Sequence, residues 1–131
     1  MKYLKLISIA FISLAVFIAC KKDGTNKAVG NIEGTWEGKY SNGNSNPSIF
    51  YSLRFNAGGI LEEVGSNGQV KGTGTWEIDN NIIEAEYTNT ATGAKYSLIG
   101  AFYPSDGKLL GNWGFDESAT DGGLWEMKTK K

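Results

Sequence analysis

Val70-Lys71-Gly72-Thr73-Gly74-Thr75-Trp76-Glu77-Ile78 alternates without a break. Val70, Gly72, Gly74, Trp76 and Ile78 occupy one parity. Lys71, Thr73, Thr75 and Glu77 occupy the other. A period of two belongs to a half-buried β-strand, in which successive side chains point to opposite faces, and not to a helix of period 3.6. The first set is therefore expected to face a core and the second to face water.

The same rhythm extends from Ile32 to the end of the chain. It predicts eight strands, at Gly34–Tyr40, Ile49–Phe55, Ile60–Val64, Val70–Ile78, Ile82–Thr88, Ala94–Tyr103, Lys108–Phe115 and Gly123–Lys128. Between them lie turn-forming segments such as Asn56-Ala57-Gly58-Gly59, Ser66-Asn67-Gly68, Asp79-Asn80-Asn81 and Pro104-Ser105-Asp106-Gly107. Asn, Asp and Gly tolerate the backbone angles of tight turns, and Pro presets one of them. Connections this short join antiparallel neighbours, because a parallel crossover needs a dozen residues or more. An all-β, eight-stranded antiparallel up-and-down barrel follows. At eight strands the interior is either filled by side chains or holds one small ligand.

Parity also assigns the inward residues of the other strands. Trp36, Gly38 and Tyr40 share a face, as do Ile83, Ala85 and Tyr87; Tyr96, Leu98, Gly100 and Phe102; Leu109, Gly111, Trp113 and Phe115; and Trp125 with Met127. Glycines alternating with large rings would let aromatics fit inside a narrow cylinder. Gly34-Thr35-Trp36-Glu37 recurs as Gly74-Thr75-Trp76-Glu77, with an echo at Gly111-Asn112-Trp113, which is repeated strand chemistry within one architecture.

The chain has 131 residues, with 13 basic and 14 acidic side chains, no histidine and one cysteine. Absent histidine rules out a Ser-His-Asp triad and a zinc site of the usual kind. One cysteine rules out an intrachain disulfide. Lys2 and Lys5 precede an apolar run from Leu6 to Ala19 that Lys21-Lys22-Asp23 ends. A basic start, a short apolar stretch and a small residue before the cut describe a secretory signal over residues 1–19. The run is shorter than the ~20 residues needed to span a bilayer. Loss of both lysines with this leader leaves 11 basic and 14 acidic residues, a net charge of −3. That balance does not suit a nucleic-acid-binding surface. Residues 20–31 contain little to bury and read as a tether. Residues 32–131 form the barrel domain.

Phe17-Ile18-Ala19-Cys20 resembles the lipobox of bacterial lipoproteins. The resemblance implies cleavage between Ala19 and Cys20 and acylation of Cys20, the membrane partner being reached through its acyl chains. Two or three chains, at about 0.8 kcal/mol per buried methylene, hold a protein on a bilayer stably. Lys21 is not the aspartate that retains such proteins at the inner membrane, so the resemblance implies an outer-membrane anchor in a bacterial envelope. The lysine-acidic cluster after Cys20 is similar to the surface-export signals of Bacteroidetes lipoproteins. Gly34-Thr35-Trp36, on the first strand, resembles the Gly-x-Trp signature of the lipocalins and wider calycins. That likeness implies that Trp36 is a structural plug for a closed barrel end, crossed by an arginine from near the last strand. Here the sole arginine is Arg54, on the second strand, while Lys128 and Lys130 lie near the end. The domain thus looks like the lipocalin-like lipoproteins of Bacteroidetes.

The candidate ligand-binding residues are the rings of Tyr51, Trp76, Tyr87, Tyr96, Trp113 and Trp125, which suit a small, partly apolar ligand. The third strand adds a carboxylate. In Ile60-Leu61-Glu62-Glu63-Val64, strict alternation turns either Glu62 or Glu63 inward, where it needs a tyrosine, a lysine or a ligand cation. Glu84 and Glu86 share a face that should be wet. Gly72-Thr73-Gly74 precedes no helix and is no phosphate loop. No loop has calcium-ligand spacing, and no cofactor or metal is expected. No nucleophile–base pair can be assembled, so an enzyme is not the expected reading. Two expectations remain: a lipid-anchored barrel that binds a small ligand at its open end, and a packed barrel that acts through its outer surface as an accessory subunit of an envelope complex.

Overall fold

The computed structural model describes residues 31–130. The leader, the Ala19–Cys20 junction with its lipidation site, and the tether up to residue 30 lie outside the described residues. The described chain is a closed barrel of eight antiparallel strands in sequential order. The strands are β1 (Gly34–Tyr40), β2 (Ile49–Asn56), β3 (Ile60–Val64), β4 (Val70–Asp79), β5 (Ile82–Asn89), β6 (Lys95–Tyr103), β7 (Lys108–Phe115) and β8 (Gly123–Thr129). Each end falls within one residue of its expected place. One short 3-10 turn, Ala57–Gly59, sits between β2 and β3.

The ladder closes where β8 returns to β1, with Trp36 opposite Thr129, Gly38 opposite Met127 and Tyr40 opposite Trp125. Closure leaves no strand edge exposed. The β4–β5 hairpin turns through Asn80 and Asn81, both with positive φ (55° and 68°). Two residues of positive φ match the right-handed twist of the flanking strands, and asparagine is among the few side chains that accept it.

Alternation places the rings inside as expected. The end of the barrel from which β1 departs is filled. Trp36 is buried, donates its indole N–H to the Ile32 carbonyl at 2.8 Å, and meets Phe102 edge-on at 6.0 Å. Trp76 donates to the Asn56 carbonyl at 2.9 Å and abuts Phe55 at 5.4 Å. Leu53, Leu61, Ile83, Leu109 and Met127 complete a core without exposed area of note. Trp125 lies further along. Its cross-strand partner is Gly111, whose partner in turn is Gly100, so the indole rests across two residues without side chains. A Cβ added to Gly100 would lie 2.6 Å from Trp125 Cζ2.

One expectation needs correction. Val70, assigned inward, is 43% exposed. Glu63 opposes Gly72 but Val64 opposes Val70, so Lys71 is an extra residue on β4. A bulge of this kind resets the alternation beyond it. Arg54, on β2, pairs with Glu62 at 2.8 Å and reaches the Thr35 hydroxyl. Lys130 pairs with Glu37 at 3.2 Å. The neighbours of the Trp36 indole are thus Phe102, edge-on, and the Ile32 carbonyl on its N–H.

Replacing Gly100 by valine should overpack the trough under Trp125 and cost about 1–3 kcal/mol. Denaturant unfolding measures it; an unchanged midpoint would mean that the indole does not fill that space.

Candidate functional site

The filled core ends short of the opposite mouth. There inward aromatic rings and several polar side chains line a cavity of about 320 Å³. Five rings form a circuit. Tyr40 of β1 meets Tyr51 of β2 at 5.4 Å between centroids. The Tyr51 and Tyr87 hydroxyls lie 2.9 Å apart. Tyr87 meets Tyr96 at 5.5 Å, Tyr96 meets Trp113 at 5.8 Å, and Trp113 returns to Tyr40 at 5.7 Å. The contacts are mostly edge-on, at 68–90° around Tyr40 and Trp113. Phe115 extends the wall at the rim, 47% exposed.

Trp113 also fixes the rim. Its indole N–H donates to the Ser41 carbonyl at 2.9 Å. The Ser41 amide donates to Leu124, and the Gly43 amide to Gly122, at 2.9 and 2.7 Å. The polar segment after β1 is thereby held against the β7–β8 connection, which brings Asn42 to the cavity.

Of the two glutamates of β3, Glu63 turns inward and Glu62 outward. Glu62 accepts hydrogen bonds from Arg54 Nη1 at 2.8 Å and Asn56 Nδ2 at 3.0 Å, and these two donors, the amide first, lower its pKa. Glu63 shares the inward parity of Leu61 and Leu53. Its side chain is 13% exposed, and burial raises its pKa; Lys71, Tyr87 and Asn89 offset part of that cost. Lys71 Nζ stands 3.9 Å from Glu63 Oε2. Alternation would have sent Lys71 away from the interior, and the bulge brings it to the rim. Gly72, across from Glu63, leaves its place to the Tyr87 ring, since a Cβ there would come within 3.0 Å of Tyr87 Cδ2.

The Tyr51 and Tyr87 hydroxyls share one hydrogen bond that either can donate. Desolvation raises both phenol pKa values, so both stay protonated and serve as donors. The mouth therefore offers aromatic walls, one pair of hydrogen-bonded hydroxyls and one largely buried carboxyl.

Of the residues singled out in the sequence, Tyr51, Glu63, Tyr87, Tyr96 and Trp113 come together here. Trp125 is buried in the packed interior and Trp76 lies half-buried against it, their N–H groups already satisfied by backbone carbonyls, and Glu62 lies outside. Tyr40, Asn42, Lys71, Asn89 and Phe115 join the cavity although they were not among the candidates. For Tyr40 and Phe115 the signal was present: both end an inward-facing parity at the same mouth. Lys71 carried the opposite signal, and Asn42 and Asn89 carried none.

A larger concavity of about 510 Å³ lies on the outer surface of β4–β6. Glu84 and Glu86 are exposed there, as alternation required, and Lys95 pairs with Glu86 and Glu117 at 3.1 and 3.3 Å. Charges so placed remain solvated. The desolvated groups that distinguish a binding site are at the mouth. Among the described residues no group of three or more histidine, cysteine or acidic side chains converges as metal ligands.

The raised pKa of Glu63 predicts a pH effect of definite sign. Below the ordinary carboxylate range, about pH 4, the group is protonated in both folded and unfolded chains. As pH rises through the higher folded-state value, the folded protein holds a desolvated charge and stability is lost. Glu63→Gln removes that loss while keeping an acceptor for Tyr87. Thermal melts from pH 4 to 8 should show the variant gaining on the wild type as pH rises. A constant difference, or one that grows towards acid, would contradict the assignment.

Comparison of the chain with family models, with curated proteins and with solved structures finds no match.

Proposed function

We propose that the chain is a non-catalytic binding module, a lipid-anchored envelope lipoprotein whose barrel holds a small, partly apolar ligand at its mouth. The observation that carries the reading is the contrast within one cylinder: a filled half around Trp36, and a half where five rings enclose about 320 Å³ beside a carboxyl. A barrel that acted through its exterior alone would have no need of a desolvated carboxyl and two buried phenols inside. Their cost is offset when a ligand uses them. The anchor rests on the Phe17–Cys20 motif. The described chain enters the barrel beside Trp36, at the filled end.

The two parts of the proposal are tested separately. Mass spectrometry of the N-terminal peptide from native membranes should find Cys20 as the first residue, carrying acyl chains. A peptide that retains Ala19, or an unmodified Cys20, would remove the anchor. For the ligand, Trp113 is the indole on the cavity wall, while Trp36, Trp76 and Trp125 lie in the packed part. Titration with flat amphipathic compounds should change tryptophan emission in the wild type and much less in Trp113→Phe. Emission indifferent to the whole panel, with no ligand extractable from the purified protein, would leave the packed-barrel reading in its place.

A further inference from the structure

The chemistry of the mouth narrows the ligand, given the binding reading above. We infer that the cavity takes an organic cation: an ammonium group seated beside Glu63, with its apolar part against the ring circuit.

Three observations converge. The rings carry electron-rich π faces, which attract a cation and repel an anion. Five of them stand in one circuit around the cavity, joined at 5.4–5.8 Å or through the Tyr51–Tyr87 hydroxyl contact. The fixed charge inside the circuit is negative. Glu63 is 13% exposed, whereas Lys71, the cation nearest to it, is 54% exposed and 3.9 Å away. That separation is at the limit of an ion pair, and a lysine at the rim moves on a flexible four-carbon stem. Lys71 therefore acts as a displaceable stand-in for a ligand ammonium. Finally, the paired Tyr51 and Tyr87 hydroxyls border the same cavity as Glu63 and put polar atoms beside the place of the ammonium group. A neutral sugar would gain from the rings but would make no contact between opposite charges with that carboxylate. An anion would meet Glu63 and the π faces together.

Calorimetric titration of the full chain in detergent tests this with three probes of one shape: phenethylammonium, 2-phenylethanol and phenylacetate. Phenethylammonium should bind most tightly, and Glu63→Gln should weaken it by about tenfold or more, the loss of one charge-assisted contact. The 2-phenylethanol affinity should change little in that variant. Lys71→Ala should tighten phenethylammonium binding several-fold, because its competitor is gone, and this variant keeps Glu63 and the ring circuit intact. Equal affinities for the amine and the alcohol would overturn the cation assignment while leaving the cavity a binding site. So would a Lys71→Ala protein that binds the amine no better than the wild type, or a preference for phenylacetate that Lys71→Ala abolishes. Binding of none of the three, with unresponsive emission, would overturn both this inference and the binding reading beneath it.

Discussion

The ladder between β1 and β8 is the contact on which the other features depend. Five cross-strand pairs, from Trp36–Thr129 to Tyr40–Trp125, turn a meander into a cylinder. Until they form, the inward parities of eight strands face no common space. Once they form, the interior has a diameter set by strand number, and the side chains must share it. The packing of Trp125 over Gly111 and Gly100 is one solution to that limit, because an indole crosses a narrow barrel only where the opposing strands carry no Cβ. The seating of Trp36 on Ile32 and Phe102 is another.

The same limit explains why the cavity lies where it does. Large rings from β1, β2, β5, β6 and β7 all reach the mouth, where the strands end and the rings border the cavity. Tyr51 and Tyr87 join through their hydroxyls, and Trp113 spends its N–H on the Ser41 carbonyl, tying the rim to the wall. Glu63 is the local rule-breaker. A leucine at that position would extend the stack of Leu53 and Leu61 and avoid the desolvation that raises the glutamate's pKa. A group that weakens the apolar core and is held by its own donors is the kind of feature that points to binding and not to folding.

Much of this was readable from residue order. The eight strands, their antiparallel sequence and the inward sets follow from period two and from the turn residues, because both are local properties of the backbone. Glu84 and Glu86 are wet for the same reason. The β3 dilemma was also visible: two adjacent glutamates in a strand put one of them inside. Choosing between them required the phase of the strand relative to its neighbours, which Leu53 opposite Glu63 and Arg54 opposite Glu62 supply. Among the rings, Trp76 and Trp125 shared the inward parity of Tyr51 and Trp113, and parity says nothing about depth along the axis.

Residue order by itself determined an all-β chain, the number and direction of its strands, and the face to which most side chains turn, since alternation and turn chemistry act between near neighbours. Only the folded barrel decided which inward residues are packing and which are wall. It also decided that Glu63 and not Glu62 lies inside, and that Lys71 comes to stand beside it. Those outcomes depend on register and on a single inserted residue between β3 and β4, and register is a relation between strands that no one strand contains.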